Sequence, residues 1–351
     1  MNVVPRIQSP QPVRFATVSP GRWGRKLLDA TKSSTQLEFA GVFSRNAQNA
    51  AEIVHDFGGG VYSSYQALLA DSSIEAVVLA TPHFLHHEQT LQAFAAGKHV
   101  FVEKPIATTI EQAETMRDAA RATQRVLAVG HQGRRTGAVR KAKTLTAAGE
   151  IGQVIHLLAV QGFPSAFNWT ADSWRRDPTR LPAGPLDELG VHYFDIMRYL
   201  AGPITRVMGW EIHDVTPGAA PDAATAVFQF ASGAIGSYTT HFVSVGVSQL
   251  AIYGTKGALH INRFGQELLR QPIADTQVAK QVGTGVEAVP FDGPLPFTTA
   301  LTEELEEFAA CIRRGGEPEV GAREAIAALR VSRAVLESAR TGRAVDLPPD
   351  A

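Results

Sequence analysis

Short apolar runs alternate with segments of helical periodicity through the first third of the chain. Runs that are apolar throughout are typical of strands in a parallel sheet covered on both faces, because neither face meets water. The helical segments between them, such as 88–96 and 110–123, space their apolar residues by about one helical turn. Strand–helix alternation of this kind predicts a doubly wound α/β domain. The predicted strands are residues 13–18, 39–43, 76–80, 99–102 and 126–129.

After about residue 130 the pattern changes to longer strands separated by Gly, Pro and Ser. Residues 225–242 are typical of a hairpin that turns at Ala231-Ser232-Gly233. These features predict an α+β domain on a large, mostly antiparallel sheet. Two helices close the chain, the first ending at Gly315-Gly316. We expect an arm at 1–12, a Rossmann domain at 13–130 and a second domain at 131–345, with the last helices able to pack on the first domain.

Composition excludes several classes of function. The chain has 33 Lys plus Arg and 34 Asp plus Glu, a net charge of −1, whereas a duplex-binding protein usually carries a clear basic excess. Its one cysteine, Cys311, cannot form an intrachain disulfide, and no cysteine cluster suits zinc. No apolar run approaches the ~18 residues that span a bilayer, and the N-terminus lacks the apolar core of a signal peptide. We expect a cytoplasmic protein without nucleic-acid or membrane partners.

A glycine-containing turn, SPGRWG at 19–24, directly follows the first predicted strand and leads into a helix. It matches the dinucleotide fingerprint GxGxxG with Ser19 in the first glycine position. Gly21 lets the backbone approach a pyrophosphate, Gly24 permits close helix–strand packing, and the helix N-terminus favours the phosphate charge. A turn that serves packing alone is the alternative. The candidate cofactor-binding residues here are Ser19, Gly21, Arg22, Trp23 and Gly24.

The end of the second strand indicates which cofactor is used. An acidic residue there would bind the ribose hydroxyls of NAD, but this chain has Ser44 and Arg45. A hydroxyl beside a guanidinium suits the 2′-phosphate of NADP, since Arg forms bidentate charge-assisted bonds. We therefore favour NADP, with NAD as the alternative if Arg45 is only solvated or stacks on the adenine.

Three further strings carry a resemblance to a known family: ATPHFLH at 80–86, GKHVFVEKP at 97–105 and GPLDELGVHYFD at 184–195. They resemble the Gfo/Idh/MocA family of sugar and polyol oxidoreductases, over residues 13–342. The resemblance implies an N-terminal Rossmann domain and a C-terminal domain with a mainly antiparallel sheet. It also implies pairing through the open face of that sheet, giving a homodimer or homotetramer.

Lys104, His192 and Glu188 are the candidate catalytic residues. Lys104 stands at the carboxyl end of a buried strand, where burial beside a cationic ring would lower its pKa and suit it to proton transfer or to polarising an oxygen. Glu188 precedes His192 by four residues, so on a helix both face one way, and a carboxylate there would orient the imidazole and raise its proton affinity. The family commonly has Asp at the position of Glu188; Asp187 falls on another face.

The resemblance implies further cofactor contacts. It places one loop along the diphosphate, one carboxylate on the nicotinamide ribose and a Trp-Arg pair near the carboxamide; these residues are Thr81, Pro82, His86, Glu103, Trp174 and Arg175. Residues 131–135 (HQGRR) either contact substrate or form a solvated basic turn. Tyr193 and Asp195 are expected to pack or bond locally. The eleven histidines show no metal-box spacing, so we expect no metal.

These patterns predict an NADP- or NAD-dependent oxidoreductase that acts on a secondary alcohol of a sugar, polyol or related cyclic compound. One alternative within the family is a glycoside-cleaving enzyme that oxidises its sugar transiently. Another is a non-catalytic cofactor-sensing regulator, although such proteins can dispense with the Lys104 and His192 positions that this chain keeps.

Overall fold

The computed structural model describes residues 11–218, 220–272, 285–292 and 297–348. Of these, one compact unit holds 11–103, 116–130 and 301–321, and a second holds 104–115, 131–300 and 322–348. A single boundary after residue 130 does not describe this division, because 104–115 lies in the second unit and 301–321 in the first. Residues 1–10 of the predicted arm lie outside the described residues.

The first unit is built on a six-stranded parallel sheet. Its order is 3-2-1-4-5-6, the doubly wound Rossmann order, which confirms the predicted fold class. The two-residue third strand is exposed and was not predicted, because nothing apolar marks it. The strands are β1 (Val13–Val18), β2 (Leu37–Phe43), β3 (Gly60–Val61), β4 (Ala76–Leu79), β5 (His99–Glu103) and β6 (Leu127–Gly130).

Helices connect these strands. Side chains that accept a backbone N–H cap two of them, Asn46 before the second helix and Ser64 before the third. The helices are α1 (Arg22–Thr31), α2 (Ala47–Phe57), α3 (Tyr65–Ala70), α4 (His86–Ala95) and α5 (Ile110–Thr123). In doubly wound sheets, ligands bind beyond the carboxyl ends of the strands where the order reverses, here between β1 and β4.

A nine-stranded sheet forms the second unit. Every neighbouring pair is antiparallel except β7 and β10, which confirms the mostly antiparallel prediction. The sheet order is β14-β13-β12-β11-β7-β10-β9-β8-β15. The strands are β7 (Val154–Gly162), β8 (Ile204–Ile212), β9 (Ala223–Phe230), β10 (Ile235–His241), β11 (Val247–Gly254), β12 (Gly257–Asn262), β13 (Glu267–Pro272), β14 (Glu287–Ala288) and β15 (Val345–Asp346).

One face of this sheet is buried beneath helices α6 (Gly137–Ala147) and α7 (Val191–Ala201), with Phe194 and Tyr238 in the core between them. A short π-helix, Leu186–Gly190, leads directly into α7. The two predicted closing helices are α8 (Phe297–Arg314) and α9 (Ala322–Thr341). Over the part of the chain described, no helix combines the length and hydropathy that a membrane span needs.

Candidate active site

The turn after β1 has the backbone geometry that a phosphate-binding loop needs. Ser19 has φ +45°, a left-handed conformation that glycine usually adopts. Gly21 begins α1 without a side-chain cap, and a Cβ added there would meet nothing within 4 Å. A Cβ on Gly24 would lie 2.6 Å from the Cβ of Pro20, so only glycine fits. The uncapped helix N-terminus and the open space over Gly21 fit the pyrophosphate of a dinucleotide.

The end of β2 presents an exposed guanidinium, that of Arg45. The Ser44 hydroxyl accepts a bond from the backbone N–H of Asn46 at 3.2 Å, and the Asn46 side chain caps α2 through the N–H of Asn49. The Ser44 hydroxyl keeps its own proton to donate, so it can serve both the turn and a phosphate oxygen.

Trp23 and Glu103, two predicted cofactor residues, bind each other. The indole Nε1 donates to Glu103 Oε1 at 2.6 Å, and Glu103 is buried. A Cβ on Gly130 would lie 2.8 Å from the same carboxylate oxygen, so β6 leaves just enough room for it. This link joins the phosphate-binding turn to the end of β5. No sequence pattern could have found it, because the two residues are 80 positions apart.

The loop after β4 is held by its own side chains. Thr81 Oγ1 donates to Gln89 at 2.7 Å, and His86 Nε2 donates to the carbonyl of Thr81 at 2.9 Å. Both Thr81 and His86 are buried. These bonds fix the shape of the loop that includes Pro82, and contact of the loop with a diphosphate stays a prediction.

In the second unit, Lys104 is half-buried and points at the π-helix. Its Nζ donates to the backbone carbonyl of Glu188 at 2.6 Å, and its peptide bond to Pro105 is cis. The π-helix makes i→i+5 bonds, and such turns often mark functional sites. No sequence pattern distinguishes this π-helix from an ordinary α-helical turn.

The Glu188 carboxylate does not face His192, and the predicted pairing of these two side chains is wrong. The carboxylate instead accepts a bond from Arg175 Nε at 2.7 Å, and that guanidinium lies 4.5 Å from the Trp174 ring centroid. Two physical reasons explain the difference. A π-helix has more residues per turn than an α-helix, so a spacing of four no longer aligns the side chains, and the cation of Arg175 attracts the carboxylate.

His192 is half-buried, with its Nδ1 atom buried, beside a second histidine. Its ring centroid lies 5.6 Å from that of His131, with the rings edge to face. Burial, then the positive charge of Lys104 and then His131, lower the pKa of His192 well below its ordinary value. The expected rise in proton affinity is therefore also wrong. The imidazole stays neutral at neutral pH and can accept a proton.

Residues 131–135 are not a solvated basic turn. His131, Arg134 and Arg135 are all buried. Arg134 binds Asp195 through two nitrogens, with Nε 2.8 Å from Oδ2. Asp195 therefore bonds 61 residues away rather than locally, and Tyr193 likewise bonds Ser248, 55 residues away, at 2.9 Å. The Asp187 side chain is also buried, and it accepts hydrogen bonds from Ser332 and Arg333.

The buried His131 makes stability depend on pH. Burial lowers the pKa of His131 from 6.5 to about 4. Between these two pH values His131 is protonated in the unfolded chain but not in the folded chain. The free energy of unfolding should therefore fall as pH drops from 6.5 towards 4, by at most roughly 3 kcal/mol from this group. We expect His131→Gln to flatten this pH dependence in urea denaturation at pH 7 and pH 5. An unchanged difference between the two pH values would contradict it.

No group of three His, Cys, Asp or Glu side chains that could hold a metal occurs in the ranges that the structure describes.

Comparison with known proteins identifies the family. Residues 13–131 match the model of an oxidoreductase family with an NAD-binding Rossmann fold, and residues 139–260 match the GFO/IDH/MocA C-terminal domain. The chain belongs to the Gfo/Idh/MocA family. These matches confirm the family resemblance that the three sequence strings indicated.

Several relatives of this chain carry the names of enzymes that act on sugars. 1,5-Anhydro-D-fructose reductase of Ensifer adhaerens is 28% identical over 342 residues, which cover 95% of this chain and 98% of the relative. D-Xylose 1-dehydrogenase (NADP(+)) 2 of Haloferax volcanii is 26% identical and covers 95% and 99%. A solved structure of levoglucosan dehydrogenase with NADH and levoglucosan is 26% identical, with a TM-score of 0.85 over 96% of this chain and 100% of that one.

Proposed function

We propose that the chain is an NAD(P)-dependent oxidoreductase that interconverts a secondary alcohol and a ketone of a sugar, polyol or related cyclic compound. The observation that carries this proposal is the half-buried imidazole of His192, which packs edge to face on His131 and lies near enough to Lys104 for that cation to lower its pKa. Names of relatives that act on anhydrosugars and on xylose support the substrate class.

In the oxidative direction, His192 accepts the proton of the substrate hydroxyl. Lys104 stabilises the negative charge that develops on that oxygen, and its bond to the Glu188 carbonyl fixes the direction of the ammonium group. NAD(P)⁺, when bound, would supply the acceptor for the hydride that the carbinol carbon gives up. The ketone leaves, and His192 returns its proton to water. Arg175 holds the Glu188 carboxylate, so Glu188 acts here through its backbone.

Most of the residues that would hold the cofactor lie in the first unit, whereas Trp174 and Arg175 lie in the second. The N–H groups at the start of α1, with Gly21 beneath them, suit the pyrophosphate. Arg22 and Trp23 lie in the first turn of the same helix, and Glu103 is bound to Trp23 at the end of β5. A cofactor-reduction screen tests the function. Over sugars, inositols and cyclic diols with each cofactor, we expect reduced nicotinamide to form with at least one compound. Cofactor binding without any turnover would instead support a regulator.

We propose NADP as the preferred cofactor, on the exposed guanidinium of Arg45 and the hydroxyl of Ser44 at the end of β2. Removing one partner of a charge-assisted bond typically costs about 1.5–3 kcal/mol. Arg45→Ala should therefore weaken NADP binding by roughly 10- to 150-fold and leave NAD binding nearly unchanged. Titration of both cofactors by calorimetry measures this, with Arg22→Ala as a control on the pyrophosphate side. Equal losses for NAD and NADP would make Arg45 an adenine-stacking residue and NAD the better assignment.

A second copy of this chain is the proposed partner of the open sheet face. The residues Met208, Val227, Ser237 and Leu158 are paired across β8, β9, β10 and β7 and so share this face. Its exposed apolar side chains include Leu158, Trp210, Val227 and Ile235. An exposed apolar face of this kind favours pairing into a homodimer, or a homotetramer through further contacts.

A further inference from the structure

Two aromatic rings stack just beyond the carboxyl end of β7. Phe163 and Phe264 have ring centroids 5.5 Å apart and planes within 8° of parallel. Phe264 is 41% exposed, so part of its ring is accessible to a ligand. The catalytic residues named above do not include either ring.

The backbone that presents Phe264 is strained. Phe264 has φ +59° and ψ +38°, and Arg263 before it has φ +51°, so two successive residues with side chains adopt the left-handed region. The surroundings hold this turn in place. The Phe264 N–H donates to Ser248 Oγ at 3.2 Å, and a Cβ on Gly265 would lie 2.7 Å from Thr136 Oγ1. Strain kept by such packing is common at ligand-binding sites and points to a role for the ring.

Hydrogen bonds through Ser248 connect the aromatic pair to the helix that carries His192. Ser248 Oγ, which accepts the Phe264 N–H, also lies 2.9 Å from the hydroxyl of Tyr193, the residue after His192. Ser248 is the cross-strand partner of Gln161, so their side chains lie on the same face of the sheet. That face is the one beneath α7, because both residues are buried.

Gln161 adds a hydrogen-bonding group at the same strand end. It is 7% exposed, yet its amide oxygen has no hydrogen-bond partner within the described ranges. A buried polar atom of this kind calls for a partner, and a ligand hydroxyl is one candidate. Phe163 follows Gln161 by two residues, directly after the end of β7 at Gly162. An aromatic surface beside a few aimed polar groups is the composition of a small-molecule site.

We propose that the stacked rings of Phe163 and Phe264 form a platform for the apolar C–H face of a cyclic sugar or cyclitol, with the Gln161 amide oxygen accepting one ring hydroxyl. This rests on the proposed function and narrows its substrate class to ring compounds. An open-chain polyol has no rigid C–H face, so it gains little from the platform.

The strained turn offers a clean test. Phe264→Gly removes the ring and also relieves the left-handed strain, since glycine adopts this conformation freely, so the variant is expected to keep the fold, which its urea denaturation curve checks. Phe264→Tyr keeps an aromatic face and is the matched control. The cyclic probe is whichever of D-glucose, D-xylose and myo-inositol the wild type binds most tightly, and glycerol is the acyclic probe.

We expect Phe264→Gly to weaken binding of the cyclic probe by tenfold or more in calorimetry, with glycerol and cofactor affinities within about twofold of wild type. Phe264→Tyr should bind the cyclic probe as wild type does. Equal effects on cyclic and acyclic probes, or no effect in a folded Phe264→Gly variant, would overturn the platform, as would a wild type that binds none of the three rings. Binding needs no hydride transfer, so a wild type that binds a ring but reduces no cofactor fails the proposed function alone.

Discussion

Replacing His192 with Asn, or Lys104 with Met, is expected to lower turnover by about 10²- to 10⁴-fold, because each removes a group that acts in proton transfer or on the developing charge. Cofactor affinity should stay close to wild type. Lys256→Met is the matched control, since Lys256 is exposed in the turn between β11 and β12. Steady-state kinetics with the best substrate of the screen measures kcat.

The two variants should also differ in their pH profiles. Lys104 lowers the pKa of His192, so this pKa should rise in Lys104→Met. The fall in residual activity on the acid side should therefore occur at a higher pH than in wild type. His192→Asn should not show this fall. Near-normal turnover in both variants, in folded protein, would remove them from the active site.

Cutting the buried ion pair of Arg134 and Asp195 has the largest expected effect on stability. Asp195→Asn leaves the guanidinium of Arg134 buried without its counter-charge, a loss of about 3–5 kcal/mol in such pairs. The side chains of Arg134 and Asp195 are only 8% and 2% exposed. The exposed pair of Arg25 and Asp56 is the control, and Asp56→Asn should cost roughly 1 kcal/mol or less.

A double variant tests whether the loss comes from one buried charge left without its partner. Arg134→Met combined with Asp195→Leu replaces both charges by apolar groups and should recover much of the stability that Asp195→Asn loses. Urea denaturation of the variants measures the free energy of unfolding. A loss from Asp195→Asn no greater than that from Asp56→Asn would contradict the account of this pair.

Apolar periodicity was enough to predict the architecture. It located β1 at residues 13–18 and α5 at 110–123 with their observed bounds, because burial on both sides leaves a clear apolar signature. It missed β3, β14 and β15, two-residue strands whose identity depends on a neighbour rather than on their own residues, and it did not mark β12 and β13.

The site was harder to predict, because its geometry depends on long-range pairing. The partners of Glu103, Glu188 and Asp195 lie 80, 13 and 61 residues away. The choice of Glu188 as the partner of His192 assumed a regular α-helix, and the π-helix before α7 invalidates that assumption. Burial of 131–135 likewise depends on packing against α7 that a string of polar residues does not reveal.

In the proposed reaction, hydride leaves the carbinol carbon of the substrate while His192 takes the hydroxyl proton. The most direct test uses substrate carrying deuterium on the carbinol carbon and follows the label by mass spectrometry. We predict one ketone and one deuterium-labelled reduced nicotinamide per turnover, with both products formed about 10²- to 10⁴-fold more slowly by His192→Asn. Cleavage of a glycoside without net reduced nicotinamide, or reduced nicotinamide without the label, would contradict it.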